Sequence, residues 1–292
     1  MKVTGFTFIK NAITYDYPII EAITSILPIC DEFIVAVGKS DDDTLNLINS
    51  IDSDKIIIIE TVWDDSLREG GRVLAIETDK AFKAISNDSD WAFYIQGDEV
   101  VHEKYLNNIK AAMIKYKDNK NVDGLLFNYL HFYGSYNYVG TAANWYANEI
   151  RVIKNNKNIY SYKDAQGFRK NNNEKLNVIG IDAFVYHYGW VKPPKAMQKK
   201  QESFNKLWHS DQWINENIDK VDEFNYNKNI KQLSKFKGTH PKVIIKRIAT
   251  QNWEFSYDIS MNKISFKDIF KSMLLKLTGV NLYSHNYNLI KE

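Results

Sequence analysis

The sequence predicts an α/β fold: a mostly parallel sheet flanked by helices over the first two-thirds of the chain, then a mainly helical C-terminal extension. Three observations carry this. Short apolar runs alternate with amphipathic segments from residue 3 to about 128. Two of the runs, Phe33–Val37 and Ile56–Ile59, are apolar at every position, as strands covered on both faces are. After residue 129 the alternation gives way to aromatic and polar stretches.

The elements follow in order. Strands are predicted at Val3–Ile9, Phe33–Val37, Lys55–Thr61, Trp91–Ile95 and Gly124–Asn128, and helices at about 18–28, 43–51, 70–86 and 103–116. Pro18 suits a first helical position, and Asp42 or Asp43 can cap the second helix. Val73, Leu74, Ile76, Ala81, Phe82 and Ile85 give the third helix a broad apolar face. Strand–helix–strand spacing of this kind implies right-handed crossovers and ligands beyond the carboxyl ends of the strands. Further on, 145–154 and 179–188 read as strands, 155–177 as a hairpin or loop region, and 195–218 as helix. An apolar helical stripe runs along Ser265–Leu277. A division into 1–192, holding the ligand site, and 193–292, for acceptor, oligomer or membrane-surface contacts, follows from this change of texture.

Composition narrows the function. The 292 residues carry 38 basic and 36 acidic side chains, a net +2, which is no footprint for a nucleic-acid binder. The single cysteine, Cys30, lies in an apolar stretch and reads as a buried, inert thiol. No apolar run reaches the roughly 18 residues of a membrane span, and Met1-Lys2 runs straight into a strand, so the chain reads as cytoplasmic. Lys267, Lys271 and Lys276 beside the C-terminal stripe leave a peripheral membrane contact open, alongside self-docking or a homo-oligomer contact.

Two nucleotide signatures fall away. Gly38-Lys39-Ser40 imitates the end of a phosphate loop, but Phe33 stands where its first glycine belongs. The first strand closes on Phe8-Ile9-Lys10-Asn11 with no GxGxxG. The informative segment is Trp91–Val100, an apolar strand ending in Gln96-Gly97-Asp98-Glu99. Adjacent carboxylates at this edge suit a hard divalent cation that bridges diphosphate oxygens; they suit a helix cap equally well. After the second strand, Asp41, Asp42 and Asp43 offer acceptors for a base or ribose.

Taken together, Phe8-Ile9-Lys10-Asn11, Ser40-Asp41-Asp42-Asp43-Thr44, Gly70-Gly71-Arg72 and Gln96-Gly97-Asp98-Glu99 resemble the GT-A-fold glycosyltransferases, specifically the family-2-like group of polysaccharide enzymes. The resemblance covers residues 1 to about 190. It implies a nucleotide-sugar donor, a glycan or lipid-linked acceptor, a Mn2+ or Mg2+ cofactor and an inverting reaction. Asp98 falls on the last aspartate of the family's DxD metal motif, and Gln96 replaces the first. Glu99 stands where another acid is common, and His187 matches a late histidine that completes the metal site. Asn11, Asp41 and Asp42 fall in the nucleoside region and Arg72 near the donor phosphates. For the base that deprotonates the acceptor, Asp164 is the choice, with Glu149 and Asp182 as alternatives. Tyr129, Phe132, Tyr133, Tyr136, Tyr138, Trp145 and Tyr146 offer faces for stacking on sugars or for a core. Two rivals remain: a nucleotidyltransferase, and a non-catalytic saccharide-binding protein with a degenerate site.

Overall fold

The computed structural model describes residues 1–142, 145–228, 230–263 and 286–291. In chain order the elements are β1 (Val3–Ile9), α1 (Ile19–Ile26), β2 (Glu32–Gly38), α2 (Thr44–Asn49), β3 (Ile56–Thr61), α3 (Arg72–Lys83), β4 (Trp91–Tyr94), β5 (Glu99–Val101), α4 (Leu106–Tyr116), β6 (Gly124–Tyr133), β7 (Ser135–Gly140), β8 (Asn148–Lys154), β9 (Ile159–Tyr162), β10 (Gly167–Lys170), β11 (Glu174–Lys175), β12 (Asn177–Trp190), α5 (Pro194–Asn205), α6 (Asp211–Asn217), β13 (Leu233–Lys235), α7 (Ile245–Ala249) and β14 (Asn288–Leu289).

The large sheet has the strand order β13-β7-β6-β8-β4-β1-β2-β3. Its β3-β2-β1-β4 half is parallel throughout, as the strand–helix spacing predicts. β8 runs against both β4 and β6, so β6 points the same way as β4, and β12 pairs parallel with β6. The carboxyl ends of β1, β2 and β4 therefore open on one edge. Apolar side chains pack both faces: Phe33, Val35, Trp91 and Phe93 on one, Phe6, Ile34, Tyr94 and Phe82 on the other. Burying a large apolar side chain contributes about 1.5–3 kcal/mol, which is why these short strands hold their register.

β3 departs from expectation. Its run of isoleucines predicts cover on both faces, yet it is an edge strand with Ile57 44% exposed. The region expected to be a loop or hairpin, 155–177, holds β9 to β11, a separate three-stranded sheet clipped to α3 where Asp79 accepts from the Ser161 amide at 2.7 Å. The helix expected over 195–218 is two helices, α5 and α6. Beyond residue 192, β13 returns to β7 and β14 to β12, with irregular backbone between the described helices. The stripe at 265–277, with its lysines, lies outside the described residues. No helix among the described residues is long and apolar enough to cross a membrane. Cys30 is buried, and burial pushes its thiol up to about 12.

Candidate active site at the carboxyl edge

The site begins where β4 ends. β12 lies between β5 and β6, in register His187 opposite Glu99 on one side and His131 on the other. The Tyr188 amide donates to the Asp98 carbonyl at 2.7 Å. Sheet pairing thus brings His187 to Asp98 across 89 positions of sequence: His187 Nε2 stands 3.7 Å from Asp98 Oδ1. On the other carboxylate oxygen, Lys200 Nζ of α5 donates to Asp98 Oδ2 at 3.1 Å and to the Gly189 carbonyl at 3.1 Å. Against the burial that would raise it, the Lys200 ammonium, with His187 and Lys192 behind it, holds the Asp98 carboxyl below the usual carboxylate range. Lys192 is buried, donates to the Tyr15 carbonyl at 2.8 Å and lies over the Tyr17 ring; burial lowers its pKa well below the ordinary value.

Glu99 faces the opposite way. Its Oε1 accepts from Arg151 Nη2 and the Tyr129 hydroxyl, each at 2.7 Å. Its Oε2 accepts from Arg151 Nε at 2.8 Å and the backbone N–H of Gln96 at 3.0 Å. With four donors on two buried oxygens, the carboxylate has no lone pair to offer a cation, which corrects its expected metal role. Glu99 is a structural ion that pins β4's exit to β8.

Gln96 does not mimic the missing acid either. Its Nε2 donates to the Ala165 carbonyl at 3.1 Å, gripping the β9–β10 turn beside Asp164. That turn holds two non-glycine residues at positive φ, Lys163 (55°) and Ala165 (63°), a conformation that costs about 1–3 kcal/mol each and persists only where neighbours enforce it. Asp164 is pressed against the start of α3: a Cβ added at Gly71 would lie 2.7 Å from Asp164 Cβ and 2.6 Å from the Trp208 ring. Gly71 also has φ +66°, so both space and conformation demand glycine there. Asp164 Oδ1 is buried without a hydrogen-bond partner, and burial raises its pKa. Arg72, the first residue of α3, is exposed on this edge.

The alternatives for the base differ in burial. Glu149 is buried on β8, and burial, with Glu99 and Asp164 nearby and Arg151 opposing, pushes its carboxyl up to about 8. Asp182 is exposed in the bulge of β12.

At the ends of β1 and β2, Asn11 adopts φ 53° and braces Asp41: its Oδ1 accepts from the Asp41 amide at 2.8 Å, and its Nδ2 donates to Asp41 Oδ2 at 3.3 Å. Asp41 is exposed and open to a ligand. Asp42 is spent on the fold, accepting from the Thr14 amide at 2.7 Å and the Thr44 amide at 3.1 Å. Its expected nucleoside contact is therefore corrected to a turn and cap. Of the seven aromatics, Tyr129, Phe132, Tyr133, Tyr136 and Tyr138 are core; only Trp145 and Tyr146 keep exposed surface.

A divalent cation would find two protein donors here. Asp98 Oδ1 and His187 Nε2 face each other, and Gly189 leaves the space beside them that a Cβ would fill, 2.6 Å from His187 Nε2 and 2.8 Å from Asp98 Oδ2. No three His, Cys, Asp or Glu side chains converge to hold a metal among the described residues. The pair would suit a divalent cation whose remaining ligands are phosphate oxygens and water.

No family model and no curated protein matches the chain. Solved structures do. TarS of S. aureus is 13% identical, with a TM-score of 0.42, over 76% of this chain and 41% of that one. Glucosyl-3-phosphoglycerate synthase of Mycobacterium tuberculosis, in complex with Mn2+, UDP and phosphoglyceric acid, is 19% identical, with a TM-score of 0.30, over 44% and 43%. The 4-diphosphocytidyl-2C-methyl-D-erythritol synthase of Anaerococcus prevotii is 11% identical, with a TM-score of 0.34, over 53% and 71%. The fold itself is α/β, a large sheet flanked by helices. This chain spans about two-fifths of the full TarS chain, and at these identities no residue role passes from one protein to the other.

Lys200, Lys192, His131 and Arg151 escape sequence reasoning. No motif surrounds them: the β5–β12–β6 pairing and the return of α5 bring His131 and Lys200 to the site, and β8, paired between β4 and β6, brings Arg151 to Glu99.

Proposed function

We propose that the chain is an inverting sugar transferase that moves a sugar from a nucleoside-diphosphate donor to a hydroxyl of a glycan or lipid-linked acceptor. The observation that carries this is the meeting of three kinds of group on one edge: an acceptor pair at the β1 and β2 exits (Asn11, Asp41), a cation-bearing carboxylate at the β4 exit (Asp98), and a buried, unpartnered carboxylate oxygen (Asp164) at the start of α3.

In this reading Asn11 and Asp41 hold the nucleoside, while Arg72 and Lys200 offer positive charge to the diphosphate. Asp98 and His187 would hold Mn2+ or Mg2+, which when bound offsets the charge of the leaving group. Asp164 takes the proton of the acceptor hydroxyl as its oxygen forms a bond to the anomeric carbon. The bond from that carbon to the diphosphate breaks, and the nucleoside diphosphate leaves with the electron pair. A raised pKa suits this role, because a base works best when its pKa approaches the working pH. The exposed faces of Trp145 and Tyr146 suit an acceptor sugar.

A thermal-shift screen of nucleotides and nucleotide sugars, with and without Mn2+, tests the reading, because a ligand bound only by the native state raises its stability. One nucleoside diphosphate and its sugar should stabilise the chain. Product analysis should then show release of a nucleoside diphosphate, with turnover falling by about 10²–10³ in Asp98→Asn, the loss typical of a group that stabilises developing charge. Release of pyrophosphate from a nucleoside triphosphate would establish a nucleotidyltransferase instead, and saccharide binding with no response to any nucleotide would establish a binding protein.

A further inference from the structure

We infer that His131 is a positioning residue that fixes His187 in the tautomer presenting a bare Nε2 to Asp98, making this edge a site for a divalent cation that accepts nitrogen, such as Mn2+, in preference to Mg2+. The inference rests on the donor-binding reading of Asp98 but can fail separately from it.

The hydrogen-bond chain decides the tautomers. His131 Nε2 lies 2.8 Å from the Tyr146 carbonyl, which only accepts, so Nε2 carries the proton. A neutral His131 then has a bare Nδ1. That Nδ1 lies 3.0 Å from His187 Nδ1, so His187 must donate there and its proton sits on Nδ1. What remains is the lone pair of His187 Nε2, directed at Asp98 Oδ1 across 3.7 Å, too far for a hydrogen bond. Two acceptor atoms thus face one another beside Gly189, while Lys200 holds the other Asp98 oxygen, and a divalent cation could take both as ligands.

The rings are also held mechanically. His131 stacks on Trp145 at 4.9 Å between centroids and on Tyr129 at 5.5 Å, and meets Tyr146 edge-on at 4.4 Å. A ring so enclosed cannot swing to exchange its nitrogens. Metal-bound histidines ordinarily give their second nitrogen to a carboxylate or carbonyl, and loss of that partner lowers metal affinity about 10- to 100-fold. Here the acceptor is a second imidazole, relayed to a carbonyl. Imidazole ligation favours transition metals over Mg2+, which prefers oxygen.

The test uses the full chain labelled with ¹⁵N-histidine, with His187 assigned by the signals lost in His187→Gln. Two-bond ¹⁵N–¹H spectra at neutral pH should show His187 protonated on Nδ1 and His131 on Nε2. Sub-stoichiometric Mn2+ alone should broaden the His187 ring signals, and excess Mg2+ should compete at least tenfold less effectively than Zn2+. By electron paramagnetic resonance, His131→Phe should bind Mn2+ roughly 10- to 100-fold more weakly than the wild type. A His187 proton found on Nε2, or a folded His131→Phe that keeps its Mn2+ affinity within twofold, would overturn the relay. If His131→Phe does not fold, the wild-type tautomers and the Mn2+ broadening still decide. A nucleoside diphosphate that stabilises the chain while His187 shows the opposite tautomer would sink the relay and leave the transferase reading standing.

Discussion

Asp98 and Glu99 are neighbours in sequence with opposite fates. Glu99 turns into the sheet, meets Arg151 in a fully buried pair and accepts four hydrogen bonds. Asp98 turns to the edge, where its partners are a lysine on a separate helix and an imidazole just out of reach. The first carboxylate is closed and the second is kept open. Adjacent acids at a strand exit thus divide between one that holds the edge in shape and one that, in the proposed reading, offers charge to a ligand, and strand pairing decides which does which.

The comparison breaks most visibly at Arg151. Removing one partner of a buried ion pair strands the other charge and costs about 3–5 kcal/mol. Arg151→Met should therefore lower the melting temperature by roughly 6–15 °C, at some 2–3 °C per kcal/mol for a chain of this size. Lys200→Met also strips a cation from a largely buried carboxylate, but His187 and Lys192 stay beside Asp98, so it should lower the melting temperature less than Arg151→Met while weakening diphosphate binding. Equal shifts in scanning calorimetry would erase the distinction between the two acids.

Glu149 sharpens the comparison as an acid left with no cation of its own. Its folded pKa, pushed up to about 8, exceeds the ordinary 4.5 of the unfolded chain. Between those values the native state binds the proton and the unfolded state does not, so stability falls as pH rises through that window and levels off above about 8. Glu149→Gln keeps the neutral shape and should flatten the loss, leaving the variant more stable than wild type by a few kcal/mol at pH 9 and about equal at pH 4.5. Parallel stability curves from urea titrations at the two pH values would show Glu149 to be ionised in the fold.

Most of the parallel half of the fold was legible because its signals are local: Val3–Ile9 is predicted and found with the same bounds, and β2 and β4 differ by a residue or two. The edge position of β3 was not, since four isoleucines look alike whether one face or two is covered. In the site, Asp98 could be nominated from the end of an apolar strand, Asp164 from a Gly-containing polar segment, and His187 only from the family resemblance. Asp42 and Glu99 could not be told from ligand contacts, because their competitors, the Thr14 amide and Arg151, arrive from 28 and 52 residues away. Lys200 and His131 carry no local mark at all. Their roles exist only once β12 is seated between β5 and β6.

Gln96 gives the smallest expected effect and the finest distinction. It stands where the motif that this segment resembles carries an acid, so a vestigial ligand and a working tether are both readable from the sequence. The structure shows its amide donating to the Ala165 carbonyl in a turn whose backbone is strained at positions 163 and 165. A tether acts through geometry: Gln96→Ala should free the turn, let Asp164 wander, and lower kcat about tenfold, near 1.4 kcal/mol, with little change in donor KM. Gln96→Asp then separates the two roles. A carboxylate there faces the Ala165 carbonyl with no proton to give, so it should match or exceed the loss in Gln96→Ala even though it restores the acid. If Gln96→Asp instead raised both Mn2+ affinity and kcat, position 96 would belong with Asp98 at the open edge rather than with the groups that hold the edge in shape.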